Sequence, residues 1–188
     1  LFINDIDTII DDGGNCKLYA DDLKLYSSYG KNNSNNITQT LINKLYEWSV
    51  KWQLNINLAK CRVLHLGVNR DNVVDYYING VKLPSDDCVN DLGVCIDSNL
   101  RYKEHIRHIC SNAYSRIGLL FRGFVSRDPS VLVKAYKVYV RPIVEYCSVV
   151  WSPWQIGLIN SIESVQRYFT RRLLRPKVMP YSERLAVF

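Results

Sequence analysis

The sequence has no long apolar run and no paired-cysteine motif. No apolar stretch approaches the ~18 residues needed to cross a bilayer, so we expect no transmembrane helix and no membrane partner. The six cysteines include no Cys-x-x-Cys pair and follow no regular spacing, and no signal peptide or other targeting signal is visible. We therefore expect reduced, mostly buried thiols in an intracellular protein.

Metal-ligand types cluster at one place, where His105, His108 and Cys110 lie close together in the sequence. Residues 105 and 108 can share one face of a helix, but residue 110 then points elsewhere. A core or surface role is therefore favoured over a zinc site.

Charge is divided unevenly along the 188 residues. Residues 1–100 carry a net charge of −4 and residues 101–188 a net charge of +10. An acidic half joined to a basic half predicts a carboxylate site beside a surface that binds a polyanion. Hydrophobic content of 47% and charged content of 22% are typical of folded proteins. Because the chain begins with Leu1 instead of methionine, we expect a segment of a longer protein.

The first half has the patterns of a mixed α and β structure. Apolar and polar residues alternate over 16–29, with a break at Asp21-Asp22, which predicts two short strands joined by a tight turn. A helix follows, because Ile37, Leu41, Leu45, Trp48 and Trp52 recur at helical spacing. Further strands are predicted at 61–66, at 75–83 around an Asn79-Gly80 hairpin turn, and at 91–96.

The second half is predicted to be helical. One apolar stripe comprises Ile106, Ile109, Ala113, Ile117, Leu120 and Phe124. Asp128-Pro129 then provides a capping residue followed by a first-turn proline. Helical spacing continues over 131–146, with a kink at Pro142. It recurs over 158–174, where the residues predicted to face inward are Ile159, Ile162, Val165, Phe169 and Leu173. We predict an α+β fold with a boundary at 97–99, in which short antiparallel strands and a helix precede an all-helical domain.

The Asp21-Asp22 pair is the main candidate for chemistry. Adjacent carboxylates repel each other, so a hairpin that holds them rigidly calls for a compensating cation. Magnesium prefers such hard oxygen ligands, and two magnesium ions can drive nucleotidyl transfer. Asp11-Asp12 and Asp86-Asp87 also occur, among turn-forming neighbours, and are interpreted as solvated turns. From the residues alone, Asp21-Asp22 can equally be a catalytic pair or another turn.

Several motifs together resemble the reverse transcriptases of LINE-type, jockey-like non-LTR retrotransposons. Tyr19 to Asp22 (YADD) resembles the Tyr-Ala-Asp-Asp box, and LFINDI at the start resembles the segment that precedes it. Similar stretches follow in the family's order over nearly the whole chain: 55–60 (NINLAK), 91–97 with His105-Ile106, 141–146 (RPIVEY) with Trp151, and 162–167 (IESVQR).

The resemblance implies a fragment of an RNA-directed DNA polymerase, with residues 1–99 as part of the palm and 100–188 as the thumb. It implies Asp21 as a ligand of Mg²⁺ or Mn²⁺, Asp22 as an assisting or orienting carboxylate, and a nuclear or cytoplasmic location. Lys60 is implied near the leaving pyrophosphate, although a solvated turn lysine fits it equally well. Deoxynucleoside triphosphates, an RNA template and a DNA primer, or an RNA–DNA hybrid, are the implied partners.

The resemblance also implies that a further catalytic aspartate lies on an earlier strand, upstream of Leu1. We therefore expect this fragment alone not to polymerise. The alternative is a remnant of a mobile element that binds nucleic acid without catalysis.

Basic residues recur at three- or four-residue spacing along each predicted helix of the second half. Such rows suit phosphate contacts, which depend little on sequence, although charged helix faces are often only solvated. The predicted nucleic-acid-binding residues are Lys103, Arg107, Lys134, Lys137, Arg141, Arg167, Arg171 and Arg175. Tyr114, Tyr136, Tyr139 and Tyr168 are expected to pack in the core and not to stack on bases.

Overall fold

A computed structural model describes residues 6, 14–28, 34–67, 73–174 and 179–186, and of residues 34–36 only the backbone. These residues form two compact units, 1–87 and 88–188. In unit 1 the elements are β1 (Asn15–Tyr19), β2 (Asp22–Tyr26), α1 (Ser34–Lys51), β3 (Tyr77–Ile78) and β4 (Val81–Lys82). In unit 2 they are β5 (Cys88–Asp91), β6 (Val94–Asp97), α2 (Lys103–Gly123), α3 (Pro129–Tyr139), α4 (Arg141–Glu145), α5 (Ser148–Trp151), α6 (Ile156–Leu173) and α7 (Tyr181–Leu185).

Unit 1 is built on the apolar side of α1. Ile42 is buried in a small core with Tyr76, Ile78 and Leu83, and Leu25 of β2 packs against the same core. One face of the β1–β2 hairpin therefore packs toward the core of unit 1 and the other faces solvent, as the alternating sequence predicts. The two strands pair antiparallel, with Tyr19 opposite Asp22, so the predicted hairpin around Asp21-Asp22 is confirmed.

A side chain of α1 also holds the β3–β4 hairpin. The Gln39 Nε2 atom donates to the backbone carbonyl of Tyr77 at 2.7 Å, and the Tyr77 amide donates to Gln39 Oε1 at 3.0 Å. The predicted turn at Asn79-Gly80 is confirmed, with both residues at positive φ (47° and 75°) as a tight two-residue hairpin turn requires.

The turn after β6 is organised by one carboxylate. Asp97 accepts backbone hydrogen bonds from Asn99 (3.0 Å), Arg101 (3.1 Å) and Tyr102 (2.6 Å). Three amide donors are thereby satisfied just before α2 begins at Lys103, where free amides would otherwise need water. Asp97 thus sets the direction in which α2 leaves the β5–β6 hairpin.

The core of unit 2 is centred on α2. Five of the six stripe residues predicted for this helix are buried, and Phe124 packs partly against the core. Phe169 of α6 is fully buried, stacked on Tyr136 of α3 (4.4 Å between ring centroids) and tilted against Phe121 of α2 (5.6 Å). Three helices therefore meet at one aromatic cluster.

Several predicted elements differ from the structure. Residues 61–66, predicted as a strand, make one isolated bridge among the described residues, Val63 to Ser85. The helix predicted over 131–146 is divided into α3 and α4, since Pro142 has no amide hydrogen to continue the helical ladder. In the third helix Ile159 is exposed, although it was predicted to face the core.

The boundary between the two units lies between residues 87 and 88, about ten residues before the predicted boundary at 97–99. The β5–β6 hairpin belongs to unit 2 because Val94 is buried in the α2-centred core and Ile96 packs against it. The strand predicted at 91–96 is in fact this hairpin, with its turn at Leu92-Gly93.

The expectation of six reduced thiols is wrong for two of them. Cys88 and Cys95 form a disulfide across the β5–β6 hairpin, with their Cα atoms 6.3 Å apart. Of the other four, only Cys110 is buried, and burial raises the pKa of its thiol. Cys16, Cys61 and Cys147 are half-buried, so the expectation of mostly buried cysteines is also wrong.

Candidate catalytic hairpin and nucleic-acid interface

Asp21 and Asp22 lie at the turn of the β1–β2 hairpin. The turn residues are Ala20 and Asp21, and Asp22 is the first residue of β2. Ala20 has a φ of 52°, a left-handed conformation that costs an L-residue roughly 1–2 kcal/mol. Both carboxylates are exposed. The local fold thus presents two adjacent carboxylates to solvent from a two-residue turn.

Alternation along the two strands places Lys17, Asp22 and Lys24 on the same face of the hairpin. Asp22 shares one face with Tyr19, Lys17 and Lys24, and the lysines oppose each other across the strands. Leu25, on the other face, packs toward the unit 1 core. The hairpin therefore packs Leu25 toward the core and leaves the face with Asp22 open to solvent.

The donors at this turn fit magnesium in kind. Magnesium is commonly bound by one or two carboxylates and keeps several waters, so two carboxylates can be sufficient protein ligands. In the described part of the chain, no group of three or more His, Cys, Asp or Glu side chains is placed to hold a metal ion. Asp21 and Asp22 thus form a two-carboxylate arrangement at most among these residues.

The other predicted ligand cluster is separated by the packing of α2. His105 is buried, and its Nδ1 accepts the amide hydrogen of Cys95 at 3.3 Å. His108 is exposed, with Nε2 2.9 Å from the Asn112 side-chain nitrogen, while the Cys110 thiol contacts the Ser161 carbonyl at 3.6 Å. The preference for core and surface roles is consistent with these positions.

Lys60 lies in a turn that follows α1. Its backbone amide donates to the Asn57 carbonyl at 3.0 Å, and the residue is exposed. This position fits a solvated turn lysine, and a role near pyrophosphate stays a prediction.

The predicted basic rows differ in how their members are engaged. Arg107 pairs with Glu104 at 3.3 Å and Arg141 with Glu145 at 2.6 Å, and this bond raises the pKa of Arg141. Such surface pairs lower the local positive charge. The remaining described members are all exposed: Lys103, Lys134, Lys137, Arg167 and Arg171. Arg175 lies outside the described residues.

A contact that the sequence did not predict involves Arg167. Its guanidinium lies over the Tyr181 ring, 4.9 Å from the centroid, and the Tyr181 hydroxyl donates to Glu163. Burial and this bond raise the pKa of Tyr181 to about 12. The sequence did not predict α7, because a five-residue helix is too short to show helical periodicity.

The four tyrosines that were predicted to pack in the core differ in their exposure. Tyr136 is buried, and Tyr114 joins its hydroxyl to Ser164 at 2.7 Å while its ring meets Tyr168 edge-on. Tyr139 and Tyr168 are exposed, so the expectation that they pack in the core is wrong.

Comparison with known proteins gives two partial similarities. The chain is 29% identical over 160 residues to the RNA-directed DNA polymerase from mobile element jockey of Drosophila funebris, which covers 82% of this chain and 17% of that protein. The chain is distantly related to a retrotransposon reverse transcriptase. It is also 32% identical over 85 residues to an uncharacterised protein of Caenorhabditis elegans, covering 45% of this chain and 43% of that protein.

The chain therefore spans less than half the length of each of these two relatives. No protein-family model matches it, and no solved structure matches it. The described helices include none that is both long and apolar enough to span a membrane.

Proposed function

We propose that this chain is part of an RNA-directed DNA polymerase of a mobile element, combining part of a palm with a helical thumb. One observation carries the proposal: a chain related to such a polymerase folds its only Tyr-Ala-Asp-Asp sequence into a hairpin whose turn presents both carboxylates. Asp11-Asp12 falls outside the described residues. Asp86-Asp87 lacks this setting, since Asp86 pairs with Arg62 at 3.0 Å.

Asp21 and Asp22 would hold Mg²⁺ or Mn²⁺. When bound, the metal would activate the primer hydroxyl and stabilise charge on the pyrophosphate of a deoxynucleoside triphosphate. The two-residue turn holds the backbones of Asp21 and Asp22 next to each other, so both carboxylates can reach one metal ion.

Unit 2 would hold the RNA–DNA hybrid through phosphate contacts. Exposed lysines on α2 and α3 (Lys103, Lys134 and Lys137) are the main candidates, with Arg167 and Arg171 on α6. Arg107 and Arg141 are expected to contribute less, since each is already bonded to a glutamate on its own helix. The sequence predicted all of these basic residues without ranking them, and the proposal now ranks Arg107 and Arg141 below the others.

Metal binding tests the first part of the proposal. Titration with Mn²⁺ is expected to broaden the amide NMR signals of residues 19–22 at low metal concentration, and the D21N/D22N variant should lose this effect. The D86N/D87N variant is the charge-matched control, because it removes the same charge from another pair of adjacent aspartates. Equal broadening in both variants would refute a specific metal site at the hairpin.

Nucleic-acid binding tests the second part. Fluorescence anisotropy with an RNA–DNA hybrid should give a dissociation constant that rises steeply with salt, with each phosphate contact adding about 0.9 to the logarithmic slope. K103Q/K134Q is expected to reduce the slope by up to about two, and R107Q by less than one. Binding that does not depend on salt would contradict this role.

A second function is supported by the same exposed basic residues: binding of nucleic acid without catalysis. Adding Mg²⁺ separates the two. If D21N/D22N binds a primed template as the unaltered chain does at every Mg²⁺ concentration, the non-catalytic function is favoured. If only the unaltered chain responds to Mg²⁺, the polymerase assignment is favoured.

A further inference from the structure

Residues 146–162 contain no charged side chain, although residues 101–188 as a whole carry a net charge of +10. The segment follows α4, includes α5 and continues into the first two turns of α6. Charge depletion together with tryptophan and tyrosine is the composition found at the centre of protein–protein interfaces. It is the reverse of what a phosphate-binding surface requires.

Apolar side chains of this segment face solvent. Val149 on α5 is 94% exposed, Trp154 between α5 and α6 is 84% exposed, and Ile156 at the start of α6 is 72% exposed. Ile159 lies three residues after Ile156, on the same face of α6, and is exposed as well. We refer to these four residues as the apolar surface.

The backbone that carries the apolar surface is held in place from beneath. Trp151, between Val149 and Trp154, is buried, and its Nε1 donates to the Tyr146 carbonyl at 2.8 Å. Its ring also meets the edge of His105, 5.2 Å between centroids. A surface whose backbone is already ordered loses less conformational entropy when another molecule covers it.

We propose that the apolar surface joins two copies of this chain in a weak two-fold dimer. The four side chains expose roughly 500 Å² of apolar area by typical side-chain sizes, so two copies would bury about 1,000 Å². That area is at the lower end of specific interfaces, and it predicts dissociation in the micromolar range or weaker. Charge favours the same arrangement, because two basic units repel each other least where both contact faces lack charge.

Sedimentation velocity of the 188-residue chain, from about 5 to about 200 µM, tests the proposal. The average mass should rise with concentration toward that of a dimer. Raising the salt to about 0.5 M should leave the dimer unchanged or strengthen it, since apolar contacts do not weaken with salt. Chains bridged by contaminating nucleic acid would separate at that salt.

Three aspartate variants make the test specific. V149D places a charge within the apolar surface and should weaken the dimer at least about tenfold, because the carboxylate would be buried without a partner. V125D is the control: Val125 is 97% exposed, in the connection between α2 and α3, and outside the apolar surface. I156D serves as a second variant, since an aspartate in the first turn of α6 favours the helix.

The proposal is supported if V149D and I156D each dimerise at least about tenfold more weakly than the unaltered chain while V125D dimerises as the unaltered chain does, with circular dichroism showing all three folded. It is overturned if the unaltered chain stays monomeric at the highest concentration, or if V125D weakens association equally. It is also overturned if a folded V149D dimerises as strongly as the unaltered chain. None of these outcomes depends on polymerase activity or on metal binding.

Discussion

Acidification should destabilise unit 2 through His105. This imidazole is buried, accepts the Cys95 amide hydrogen on Nδ1 and lies against Trp151, and its Nε2 is buried without a hydrogen-bond partner in the described structure. Burial, with a smaller effect of nearby His108, lowers the pKa of His105 below its ordinary value of 6.5. Protonation would convert the acceptor Nδ1 into a donor and would break the bond to β6.

The direction and size of the effect follow from proton linkage. Just below pH 6.5 the folded chain keeps more of His105 neutral than the unfolded chain does, because folding lowers the pKa of this imidazole. The stabilisation is therefore complete above pH 6.5 and is lost as the pH falls, by up to about 1.4 kcal/mol for each pH unit. The loss ends once the pH passes below the folded pKa.

Urea unfolding of unit 2 between about pH 5.5 and 8, followed by the amide signals of α2, measures this dependence. H105Q should flatten the profile, because it cannot titrate. H108Q is the matched control, since His108 is exposed on the same helix and its loss should keep most of the slope. Equal slopes in the two variants, or a His105 NMR titration at or above pH 6.5, would refute the reasoning.

Three further substitutions test the packing of unit 2. F169A empties the site between Tyr136 and Phe121 and should cost about 3–5 kcal/mol of unfolding free energy in urea; a loss below about 1 kcal/mol would contradict the described core. D97A removes the acceptor of three amides and should lower the free energy of unfolding by about 2 kcal/mol. D97N keeps one acceptor oxygen and should lose less, and an equal loss in both variants would contradict the described bonds. L92G relieves a φ of 45° and should raise the free energy of unfolding by about 1 kcal/mol, whereas a decrease would mean that the leucine side chain packs usefully.

The parts of the fold that could be predicted are those set by neighbouring residues. The β1–β2 hairpin follows from alternation, the β3–β4 hairpin from Asn79-Gly80, and the start of α3 from Asp128, whose carboxylate accepts the Ser130 amide at 2.9 Å. Each depends on contacts within a few residues. Such contacts leave a pattern in the sequence itself.

The parts that could not be predicted depend on distant contacts or on ambiguous signals. The β5–β6 turn uses a leucine at positive φ, which no turn preference suggests. Pro142 is compatible with both a kinked helix and a new helix, and only the structure distinguishes them. At the candidate site, the bond between Arg141 and Glu145 follows helical spacing and was predictable, while the contact of Arg167 with Tyr181 was not.

The contact of Gln39 with Tyr77 affects whether β3 can pair with strands of other molecules. In a hairpin closed by a two-residue turn, Ile78 bonds to Val81, and the amide and carbonyl of Tyr77 point away from β4. Those groups form an open strand edge of the kind that recruits other strands and initiates aggregation. Gln39 occupies both positions as a neighbouring strand would, so one helical side chain protects the hairpin from edge-to-edge association.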